Sequence, residues 1–121
     1  MIKITERGWP GHFCAASSCV FRRNTLIESN DLKIVVSTVG DMRSKGNVEW
    51  VGLHRYYETM VFHAIREGKY IEADVGREIY LDCKQGIGEI YDGVDNDANE
   101  MHENAVKEVV EKIKSGEINA S

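Results

Sequence analysis

At 121 residues and 13.7 kDa the chain is sized for one domain with a single hydrophobic core. Its 15 basic and 20 acidic side chains leave a net charge of -5, which argues against the cationic footprint of a DNA- or RNA-polymer binder and leaves a small phosphorylated ligand open. With no apolar run of ~18 residues and no charged-then-apolar leader, neither membrane contact nor secretion is expected and the address is cytoplasmic; the three cysteines, an odd number, are expected as reduced thiols.

Residues 2 to 5, IKIT, alternate apolar with polar and predict a short first strand, which runs into a turn at Gly8-Trp9-Pro10-Gly11. Trp9 and Phe13 bracket Gly11-His12, a segment suited either to covering a pocket or to anchoring the N-terminal arm on the core. His12, Cys14, Cys19 and Cys83 could be counted as four zinc ligands, but no second tight pair follows, and small thiols in a Ser/Ala-rich connection are the better reading. Neither metal nor cofactor is expected.

Residues 21 to 40, FRRNTLIESNDLKIVVSTVG, organise the chain. Two β-rich runs flank Ser29-Asn30-Asp31, which predicts a hairpin. Side chains alternate along a strand, so Arg22 and Arg23 must point to opposite faces and only one of them can serve a given site. After the hairpin, the glycine-bounded DMRSK, Gly40 to Gly46, reads as an exposed loop. Residues 53 to 65, LHRYYETMVFHAI, fit a helical stripe or a strand, and their content of Tyr, Thr, Val, Phe and Ile favours the strand. A turn at 66 to 69 then leads to a further strand from Tyr70 to Val75, with Gly76 as a bulge before Ile79-Tyr80-Leu81.

From Gln85 to Val106 there is no lysine or arginine. Gly86, Gly88 and Gly93 mark a loop, and Asp95 to Asp97 offer N-cap chemistry for a helix from about Ala98 to Ser115, ended by Gly116. Its buried stripe is expected to be Met101, Ala105, Val106, Val109, Val110 and Ile113. The whole predicts an α+β fold: a mainly antiparallel sheet of about five strands with the C-terminal helix packed on one face, and Ile34, Val36, Val109 and Ile113 in the core.

Catalytic patterns are thin. Asp95-x-Asp97-x-Asn99 lacks both the glycine and the bidentate glutamate of a calcium loop, and GxSxG, HExxH and P-loop motifs are absent. His54, Glu58 and His63 would need to converge to serve as acid and base. What remains suits nucleotide capture: Arg22, Arg23, Arg55 and Arg66 for phosphates, Tyr56, Tyr57, Phe62 and Trp9 for stacking, and Asn24, Thr25, Asp95, Asn96 and Asn99 for ribose hydroxyls.

The stretches ITERGWPGHF, FRRNTLIE, KIVVSTVG, RYYETMVF and DNDANEMHENAV together resemble the phage Thoeris anti-defence proteins of the first described type, over nearly the whole chain. The resemblance implies a non-enzymatic sponge that holds cyclic ADP-ribose isomers, the signals of bacterial TIR-domain defence enzymes, near the interface of a homodimer or larger homo-oligomer, with cyclic oligonucleotides as further ligands. On the matching motifs it places the site at Arg22, Arg23, Asn24 and Thr25, at Arg55, Tyr56, Glu58 and Phe62, and at Asp95, Asn96, Asn99 and His102. A small cyclic-nucleotide or glycosidic hydrolase, and a direct protein inhibitor of a host enzyme, stand as alternatives.

Overall fold

Long β-branched runs joined by tight turns produce one antiparallel sheet. A computed structural model describes residues 1–7, 18–52, 55–88 and 95–120. Its strands are β1 (Ile2–Glu6), β2 (Cys19–Ser29), β3 (Leu32–Ser44), β4 (Asn47–Glu49), β5 (Tyr57–Glu67), β6 (Tyr70–Ile79) and β7 (Gly86–Ile87), followed by the helix α1 (Asp95–Ser115). The main path runs β1-β2-β3-β5-β6, the five strands expected, while the short β4 and β7 pair with β3 and β5.

The central hairpin turns on Asn30-Asp31, with Asn30 in the left-handed region at φ 56, where asparagine is tolerated better than most side chains. The segment from Gly40 to Gly46 corrects the loop reading: β3 continues to Ser44, bending at Asp41 (φ 53), and closes a second hairpin on Lys45 (φ 52) and Gly46 (φ 82). Two successive positive φ angles are those of a type I′ turn, whose geometry matches strand twist. Lysine in place of the usual asparagine or aspartate hid that turn. The region from 57 onward is strand, as its composition indicated, and Gly68 (φ 60) turns it into β6.

The β5–β6 register jumps between Phe62 and Ala64, from Phe62↔Glu78 to Ala64↔Ala73, so residues 74 to 77 bulge out of the ladder around Gly76. Asp74 accepts a hydrogen bond from the Gly76 N–H at 3.1 Å within that bulge.

The helix begins at Asp95, three residues before the expected start at Ala98, and packs its stripe of Ala98, Met101, Ala105, Val106 and Val109 on one sheet face. Beneath it lie Ile27, Ile34, Val36 and Val61, each fully buried, while Val110 and Ile113 are half-buried at the margin. Gly116 (φ 85) ends the helix and folds Ile118 back into the same cluster, its N–H donating to the Lys112 carbonyl at 3.1 Å. The turn at 8 to 11, Trp9, His12, Phe13, Cys14 and His54 lie outside the described residues.

Candidate functional site

Alternation sorts the expected binding residues onto two faces. In register, Arg23↔Thr38 and Thr25↔Val36 continue through Thr38↔Thr59 and Val36↔Val61 on the face under α1. Arg22↔Val39↔Glu58, Asn24↔Ser37↔Met60 and Leu26↔Val35↔Phe62 lie on the helix-free face. Thus Arg22, Asn24, Glu58 and Phe62 share one face, and Arg23 and Thr25 share the other with His102 and Asn99 of the helix.

On the helix side the polar groups satisfy one another. Arg23 Nη2 sits 2.9 Å from Glu6 Oε2 and 2.7 Å from Glu103 Oε1, and its Nη1 donates to Asn99 Oδ1 at 3.4 Å. Burial works against its charge, but the two carboxylates outweigh that and push its pKa up.

His102 is fully buried. Its Nε2 lies 2.7 Å from Thr25 Oγ1, its Nδ1 2.7 Å from Thr38 Oγ1, and Thr38 in turn lies 2.6 Å from Thr59 Oγ1. Thr25 donates its one hydroxyl proton to Glu6 Oε2 at 2.6 Å, so it must accept from His102 Nε2–H, and Nδ1 must accept from Thr38. The ring is therefore a neutral Nε2–H tautomer in a directed chain running Thr59, Thr38, His102, Thr25, Glu6. Desolvation, with Arg23 adding to it, pulls its pKa down to about 4. Burial would raise the Glu6 carboxyl, but hydrogen bonds from Arg23 and Thr25 hold it below its ordinary value. This constellation is a structural polar core rather than a ligand pocket.

At the helix start, Tyr57 donates to Asp95 Oδ1 at 2.8 Å, lays its ring across Gly40 and meets Phe21 edge-on, centroids 5.7 Å apart. Asn96 and Asn99 are exposed there, and the adjoining cavity of about 280 Å³ is lined by Asp97, Glu100 and Asn104 with Lys84, Met101 and Ile87. Its two carboxylates outnumber the one cation, Lys84, and weigh against an anion at this helix terminus. Arg55 pairs with Glu58 at 3.3 Å, and a Cβ at Gly86 would collide with the Arg55 side chain, so Gly86 is what admits it. Tyr56 stacks edge-on against Trp50, centroids 6.2 Å apart.

The helix-free face carries the larger feature, a cavity of about 580 Å³ between the sheet and the curled-over β5–β6 hairpin. Leu26, Val35, Ile71, Ala73 and Val75 give it apolar walls, and Arg7, Asn24, Ser37, Lys69, Tyr70 and Glu72 bring polar groups. Of the residues expected to bind, Asn24 alone is among the described lining residues; neither Arg22 nor Arg23 is. Arg7 closes the cavity across its walls, donating from Nε to Asn24 Oδ1 at 2.8 Å and from Nη1 to the Ile71 carbonyl at 2.6 Å.

Arg7, Lys69 and Tyr70 were missed by sequence reasoning because a strand end and a hairpin turn meet there only after β6 bends over β3. The one available signal was period two at β1: Glu6 and Arg7 must face opposite sides, and Arg7 falls on the helix-free one. No protein-family model, no curated protein and no solved structure matches the chain.

Proposed function

We propose that this chain binds and sequesters cyclic ADP-ribose-type signal nucleotides made by TIR-domain immune enzymes, without cleaving them, in the cytoplasm of a phage-infected bacterium. The observation that carries the reading is the cavity of about 580 Å³ with aliphatic walls and two cationic residues, Arg7 and Lys69. That size falls in the range of small-molecule sites, and the mixture of apolar surface with few polar groups suits a ring system bearing phosphates. The resemblance of the five stretches to the Thoeris anti-defence family supplies the ligand class.

The lining is in keeping with binding without turnover. Among the described residues Glu72 is its one carboxylate, whereas glycoside hydrolysis uses a pair across the scissile bond. At the rim Tyr70 and Val75 are 62% and 72% exposed, so a second copy of the chain would bury apolar surface and enclose the ligand; the working unit is a homodimer or larger. Among the described residues no helix is long and apolar enough to cross a membrane.

The test is to load the protein with cyclic ADP-ribose and its isomers, remove unbound nucleotide, denature the protein by heat and chromatograph the supernatant. Recovery of unaltered ligand is expected. A changed product makes the chain an enzyme, and no recovered nucleotide removes the reading. Sedimentation at micromolar concentration is expected to show a dimer or larger species.

A further inference from the structure

We propose that Arg7 is the anion anchor of the helix-free cavity: a guanidinium held across both walls by neutral acceptors, which takes the phosphate of a phosphorylated ring ligand. The proposal rests on the sequestering reading and adds the group that recognises the charge.

Arg7 is placed by the ladder. Glu6 pairs with Thr25, and the Arg7 N–H continues that register by donating to the Asn24 carbonyl at 2.6 Å. Its backbone is therefore fixed as firmly as a strand residue's, and alternation sends its side chain away from Glu6 and Arg23 into the cavity.

Its partners set it apart from other arginines of the chain. Arg23, Arg43 and Arg55 each lie within 3.3 Å of a carboxylate oxygen. Arg7 instead donates to an amide oxygen and a backbone carbonyl, which orient the guanidinium without neutralising it. Among the described residues Nη2 makes no hydrogen bond, and it is the group that would meet a ligand. Burial pulls its pKa down, with the charges of Glu28 and Glu72 opposing that only in part, so a half-buried cation stands to gain from a bound anion.

Lys69 adds a second cation, its Nζ 6.0 Å from the Tyr70 ring centroid. Leu26, Val35, Ile71 and Ala73 then offer an apolar surface to the ring system. Because Asn24 belongs to β2 and Ile71 to β6, an anion on Arg7 also strengthens the tie between the walls.

Calorimetry with linear ADP-ribose, cyclic ADP-ribose and its isomers, and uncharged adenosine tests this. Arg7→Gln keeps an N–H₂ donor for the Ile71 carbonyl and removes the charge. It should weaken binding of the phosphorylated probes ~10- to 100-fold, flatten their salt dependence and leave adenosine unchanged. Arg7→Lys, which keeps the charge, should retain more affinity than Arg7→Gln.

Should the variants unfold, the guanidinium resonances of the unsubstituted protein decide. The Arg7 Nε–H signal should shift on adding ADP-ribose. Binding by Arg7→Gln within twofold of the parent, or an unshifted Arg7 signal at saturation, overturns the anchor while leaving sequestration standing. A parent that binds linear ADP-ribose through Arg7 but none of the cyclic isomers keeps the anchor and removes the sponge. A parent that binds no phosphorylated probe overturns both.

Discussion

At His102 the fold places an ionisable ring where only its neutral form fits, and this fixes the direction of a pH effect. The folded-state pKa is lowered to about 4 from an ordinary 6.5, so below pH 6.5 the unfolded chain binds a proton that the folded chain refuses. Stability from this group is full above about pH 6.5 and declines as pH falls toward 4, by an amount on the order of 3 kcal/mol. The lowered Glu6 carboxyl acts in the same direction at still lower pH, below its ordinary 4.5. Chemical denaturation between pH 7.5 and 4.5 should show this loss. His102→Gln should start less stable at neutral pH and depend less steeply on pH over this window; an equally steep dependence would mean another group carries it. The core role of His102 was legible in part: it falls on the spacing Ala98, His102, Ala105, Val109, the buried stripe itself. What the sequence could not supply was the pair of threonines, from β2 and β3, that makes a buried imidazole affordable.

At the scale of elements, local signals succeeded where geometry is local. The Asn30-Asp31 turn, the strand character from 57 onward and the helix stop at Gly116 each follow from a few neighbouring residues. They failed at Lys45-Gly46, where the backbone adopts a type I′ turn without its usual first residue. Lys45→Asn should therefore stabilise the protein by about 0.5 kcal/mol or more, with its denaturation midpoint raised and its slope unchanged. The opposite is expected at Gly40, whose missing side chain makes room for the Tyr57 ring across the β3–β5 pair. Gly40→Ala must displace a ring held by Phe21 on one side and Asp95 on the other, at about 1 to 3 kcal/mol. Wild-type stability in that variant would show that the ring moves freely. Ile34 and Val36, fully buried under the helix, should each cost about 2 to 4 kcal/mol on truncation to alanine.

Across the whole molecule the two faces of the sheet have different work. The helix side is closed by apolar packing and a saturated polar chain, and the helix-free side is closed by the bending of β6 and by one arginine. The alternation of Arg22 and Arg23 was legible, but not which face the helix would take, and that choice commits Arg23 to Glu6 and Glu103. The bulge at Gly76 was legible, but the cavity was not, because it depends on the size of the register jump between Phe62 and Ala64, which no short-range rule encodes. That jump also predicts where the fold opens first. β6 is an edge strand, its ladder is broken over residues 74 to 77, and its burial is intermittent, whereas β3 pairs on both sides and is buried from Ile34 to Asp41. β6 is tied to β2 through Arg7, which donates to Ile71 of the one and Asn24 of the other. Hydrogen exchange of the amides from 70 to 79 should accordingly be much faster than of those in β3, through a local opening well short of global unfolding. Arg7→Gln should speed exchange in β6 while leaving β3 unchanged, and a phosphorylated ligand bound in the cavity should slow it in the parent. If β6 exchanges as slowly as β3, the two strands open together and the cavity wall is as rigid as the core.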